Sequence, residues 1–66
     1  MPEPKGFLLL HDRMGFEFLV RASAVNGVIN TGTFVQVVLA GMNEPVKVKE
    51  EYGEVVEALQ RALLDS

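Results

Sequence analysis

Apolar and polar positions along the chain fall into five short strand-like runs and one longer helical one. Phe7-Leu8-Leu9-Leu10 is wholly apolar and predicts a first strand buried on both faces. Asp12-Arg13-Met14-Gly15 then predicts a hairpin turn, with Gly15 free to take a positive φ. From Phe16 to Arg21 the pattern alternates. Phe16, Phe18 and Val20 share one face, and Glu17, Leu19 and Arg21 the other. Ala22 to Ala24 carry little preference. Val25 to Asn30 predicts a third strand, broken at Asn26-Gly27 by a bulge or bend.

Asn30-Thr31-Gly32 reads as the next turn. Thr33 to Leu39 is the segment richest in β-branched residues, with Val35, Val37 and Leu39 on one face and Phe34, Gln36 and Val38 on the other. Gly41-Met42-Asn43 turns the chain again. Pro45 precedes a short strand, Val46 to Lys49, with valines in and lysines out. The last segment has the helical period. Tyr52, Val55, Val56, Leu59, Ala62 and Leu63 form one apolar stripe. Glu50 and Glu51 stand at its start, where carboxylates suit the helix dipole. Glu57 and Arg61 make an i,i+4 pair. Gly53 costs up to about 1 kcal/mol inside a helix.

The expected fold is therefore α+β. A small curled antiparallel sheet of four to five strands, open or barrel-like, is closed by one C-terminal amphipathic helix. Residues 7–66 make a single domain, and residues 1–6 a flexible lead-in.

Composition sharpens this picture. A chain of 66 residues has room for one domain and buries only about 60% of its unfolded surface. It has no cysteine, so neither a disulfide nor a cysteine zinc site can reinforce it. A dense core or self-association remains. Absence of cysteine fits a reducing compartment. Phe7 to Leu10 is too short for a secretory apolar region of about 7–15 residues or a membrane helix of about 20. A cytoplasmic protein without membrane insertion is expected.

Net charge is −3, and the excess of acid lies in the second half. There Glu44, Glu50, Glu51, Glu54, Glu57 and Asp65 face only Lys47, Lys49 and Arg61. No basic cluster is visible, which argues against nucleic acid and against acidic membranes.

Candidate chemistry is sparse. His11, the only imidazole, reads as a solvated turn residue, since strand geometry turns Asp12 to the opposite face. Ser23 and Ser66 lack the surroundings of a hydrolase nucleophile. No glycine-rich phosphate loop occurs. Catalysis by paired carboxylates needs a cleft that moves one pKa, so Glu50, Glu54 and Glu57 read as a solvated acidic face. No catalytic residue, metal site, cofactor or small-molecule substrate is expected.

Partners are a different matter. One helix can cover one face of a sheet, yet several strands look apolar on both. Leu8, Leu10, Leu19, Phe34 and Val38 are the candidate interface residues. The expected function is a non-catalytic adaptor or regulatory module, either homo-oligomeric or bound to another protein. Two other readings stay open. A nucleic-acid-binding small barrel needs Lys5, Arg13, Arg21, Lys47 and Lys49 on one face. An acidic inhibitor would present Glu50, Glu54 and Glu57 to a basic partner.

The order of features is also informative. Leu8-Leu10, Gly15, Phe18-Leu19-Val20, the span from Ala24-Val25 to Val28-Ile29, and Thr33-Phe34-Val35 follow one another. Val46-Lys47-Val48-Lys49-Glu50 and Glu54-Val55-Val56 complete the series. In this the chain resembles the small bacterial flagellar and swarming-motility family, with its bacterial and phage relatives, over nearly all of its length after residue 6. The resemblance implies a small sheet plus helix, no catalytic residues, and a supporting or regulatory role in motility. The family has Ser or Thr as helix cap with Glu three residues on. This chain departs from it with Glu51 at the cap and Glu54 at the third position, so the helix start would lean on packing by Val48 or Tyr52.

Overall fold

The structure is a computed structural model and describes residues 4–65. The elements are β1 (Phe7–His11), β2 (Glu17–Arg21), a 3₁₀ turn (Ala22–Ala24), β3 (Val25–Asn30), β4 (Val35–Leu39), β5 (Val46–Val48) and α1 (Tyr52–Asp65). The fold is α+β, as the periodicities predict. The strands do not close into a barrel: they form an antiparallel pair, β1-β2, and an antiparallel triplet, β3-β4-β5.

The turn after β1 is built by Asp12. Its Oδ1 accepts the backbone N–H of Met14 and of Phe16, each at 2.9 Å. Its carbonyl accepts the Gly15 N–H at 3.0 Å. A short side chain that mimics a backbone turn is what Asp supplies here. Gly15 takes φ 93°, the left-handed region expected for it. Phe16, expected inside the strand, instead closes the turn by accepting the Asp12 N–H at 2.9 Å. The third strand carries its bulge as predicted, between Val25 and Gly27.

Of the expected lead-in, residues 1–3 lie outside the described ones, and Pro4 and Gly6 accept backbone hydrogen bonds. Phe7 N–H bonds Pro4 O at 3.2 Å, and Gly6 O accepts Ala22 N–H at 2.8 Å. This second bond anchors the 3₁₀ turn, and Ala22 is buried beside it.

The core draws on every layer. Leu8 and Leu10 come from β1, Val20 from β2, Val35 and Val37 from β4, Val48 from β5, and Val55 and Ala62 from α1. β1 is not buried on both faces: Phe7 and Leu9 are only half-buried. The helix begins with Glu51 as its cap. Val55 N–H bonds Glu51 O at 3.0 Å, while Glu54 Oε1 accepts the Glu51 N–H at 3.2 Å. This is the returning half of a capping box, supplied without a hydroxyl cap.

The helix is rolled relative to the predicted stripe. Val55 and Ala62 are buried and Ala58 and Leu59 pack beside them, but Tyr52 is 42% and Leu63 49% exposed. Ala58 and Ala62 line the same groove as Gly6, Phe7 and Leu8. These two small side chains, one turn apart, stand on the side of the helix that meets β1, while Tyr52 and Leu63 lie outside that contact.

Two glycines test these assignments with opposite signs. An added Cβ meets nothing within 4 Å at Gly15 or Gly53, so only backbone preference decides. Gly15→Ala should destabilise by about 1 kcal/mol because of its positive φ, while Gly53→Ala should stabilise by up to about 1 kcal/mol. Urea midpoints of the two variants, read against the parent, check both.

Candidate interaction surface

The hairpin register sorts its side chains into two rows. Leu8 opposite Val20 and Leu10 opposite Phe18 face the core. Phe7 opposite Arg21, Leu9 opposite Leu19 and His11 opposite Glu17 form the outer row. That row has an apolar middle and a charge at each end of β2. Leu19 is 46% exposed. The Arg21 guanidinium lies 4.9 Å from the Phe7 ring centroid, a cation–π contact that shields part of the ring. Met14 and Phe16 extend the apolar surface to the hairpin tip, where both are largely exposed.

The outer face of the triplet is similar in kind. Gln36 and Val38 are half-buried there, Ile29 is exposed, and Phe34 precedes β4 in the same alternation. Lys47 Nζ sits 4.6 Å above the Phe34 ring.

The interface residues expected from the sequence therefore separate. Leu8 and Leu10 belong to the core, at 3% and 1% exposure, and cannot meet a partner. A wholly apolar run gives no parity from which to tell inner from outer, and the outer members prove to be Phe7 and Leu9. Leu19 is on the outer row of the hairpin. Phe34 and Val38 are on the other sheet, half-covered.

The acidic face also divides. Glu54 is exposed and turned back on the Glu51 N–H. Glu57 is exposed and bonds Arg61 at 3.0 Å. Glu50 is not part of the helix at all. Its carboxylate turns onto the end of β1, where Oε1 accepts the His11 backbone N–H at 2.9 Å and Oε2 contacts His11 Nδ1 at 2.6 Å. The Glu50 side chain is 18% exposed. His11 is thus a half-buried partner of Glu50 and not a solvated turn residue. The contact spans 39 positions of sequence, so no local pattern could have revealed it.

Burial alone would raise the pKa of Glu50. The His11 backbone N–H and ring, with Glu50's own backbone N–H, outweigh it and hold the carboxyl below its ordinary 4.5. Both carboxylate oxygens face His11, which turns Glu50 away from the acidic face of the helix.

Comparison with known protein families, with curated proteins and with solved structures gives no match for this chain. Among the described residues no helix is long and apolar enough to cross a membrane.

A carboxylate with a depressed folded pKa contributes stability above its unfolded pKa and loses it as pH falls through the folded one. The window for Glu50 opens near pH 4.5 and extends below it. Glu50→Gln should cost about 1–2 kcal/mol at neutral pH, and the gap to the parent should close on acidification. Urea unfolding at pH 7 and at pH 3 measures both ends.

Proposed function

We propose that this chain is a small non-catalytic protein-interaction module, adaptor or regulatory in kind, that associates with itself. One observation carries the reading. Of the five aromatic residues, four Phe and one Tyr, only Phe18 packs against the core, and none is fully buried. Aromatic rings are the largest apolar payloads a chain has, and surface aromatics are enriched where proteins meet. A 66-residue chain short of core material has instead left them half-buried or exposed. Motility, or a bacterial or phage accessory process, is the setting that the family resemblance suggests for such a module.

The alternatives receive less support. An acidic inhibitor would need a continuous carboxylate face, and Glu50 is withdrawn from it by His11. A nucleic-acid binder would need converging cations, and Arg21 and Lys47 each lie over a ring on a different sheet.

Light scattering over a concentration series tests the proposal. A mass above that of one chain, rising to a plateau, is expected. A single-chain mass at every concentration would overturn self-association.

A further inference from the structure

We propose that two copies of this chain pair edge to edge through β2, antiparallel, about a two-fold axis at Leu19. The inference deepens the self-association reading and rests on it. β2 is hydrogen-bonded to β1 alone, so its far edge presents unpaired backbone groups. An edge of this kind accepts another strand, and its side chains say which one.

The strand reads Glu17-Phe18-Leu19-Val20-Arg21, with opposite charges at equal distances from a central leucine. Antiparallel self-pairing about Leu19 sets Glu17 opposite Arg21 of the second copy, and Arg21 opposite its Glu17. Leu19 then meets Leu19. Glu17, Leu19 and Arg21 all belong to the outer row of the hairpin and are all exposed. A two-fold axis normal to the sheet keeps outer with outer. The result is a four-stranded sheet in the order β1-β2-β2-β1. Its outer face has Leu9 and Leu19 of both copies at the centre and a cross-strand ion pair at either end. Opposite charges placed directly across an antiparallel pair stabilise it, and like charges oppose it.

Other registers lose this match. Parallel pairing sets Glu17 against Glu17 and Arg21 against Arg21. A slip of one residue turns the outer row of one copy to the other face. A slip of two leaves Glu17 opposite Leu19 or Ser23. In a chain of net charge −3, where copies repel on average, this edge is locally neutral and matched to itself. Of the other end strands, β1 and β3 contain no Asp, Glu, Lys or Arg, and β5 only Lys47, so none carries opposite charges that could choose a register.

Charge swaps test the pairing, since Glu17 and Arg21 are exposed and their replacement spares the core. By sedimentation velocity, Glu17→Arg and Arg21→Glu should each weaken dimerisation at least about tenfold. The double variant Glu17→Arg/Arg21→Glu should restore it, with circular dichroism unchanged throughout. Independently, Leu19→Cys in this cysteine-free chain should be joined across the axis by a short bis-maleimide, because paired β-carbons would lie about 4.5–5.5 Å apart. Ser23→Cys should not. Oligomers that persist in both single variants, or a double variant that stays dissociated, would overturn the β2 pairing while leaving self-association standing. A parent chain that is monomeric throughout would remove both.

Discussion

The two sheets are joined at one seam, and the shared core depends on it. At the end of β1, the His11 carbonyl accepts the Lys49 N–H at 2.8 Å, and Asp12 bridges to Val48. Beside these, the Glu50 carboxylate takes both the backbone N–H and the ring of His11. A two-stranded hairpin alone is marginal in water. Docked here, β1-β2 turns Leu8, Leu10 and Val20 against Val35, Val37 and Val48, and α1 covers both sets with Val55 and Ala62. No buried polar side chain interrupts that core among the described residues. The polar contacts lie at its rim, where they set the relation of one sheet to the other.

Its small size explains why so much apolar surface remains outside. The fully buried side chains are leucine, valine and alanine. They fit the narrow space between one helix and two short sheets, which a ring would overfill. Phe7 and Phe34 instead stay half-buried, with Arg21 and Lys47 over their rings. Long cationic side chains can shelter a ring in this way while keeping their charge in water. The arrangement covers part of the outer surface and leaves Leu19, Ile29 and Phe16 open.

Local chemistry made much of the fold readable. Asp12 and Gly15 specify the hairpin turn, the Val25–Gly27 bulge follows from a glycine in an apolar run, and Glu51 with Glu54 marks where the helix starts. The parity of β4 places Val35 and Val37 in the core correctly. Non-local matters were hidden. The division into two sheets depends on where Asp12 meets Val48, and the helix roll on which side of α1 meets the strands. Of the candidate interface, Leu19 was legible because its strand alternates. Leu8 and Leu10 were misplaced because theirs does not. Glu50 looked like one more helical acid, since its partner stands on the first strand.

The seam also orders events during synthesis. β1 and β2 pair through a short turn and precede the rest of the core along the chain, yet Leu8 and Leu10 acquire their cover from Val35, Val37, Val48, Val55 and Ala62. At about 5–20 residues per second, the stretch between hairpin and helix takes several seconds to make. Through that interval the nascent hairpin offers apolar residues on both faces. One of those faces is hidden once the later strands and the helix have docked.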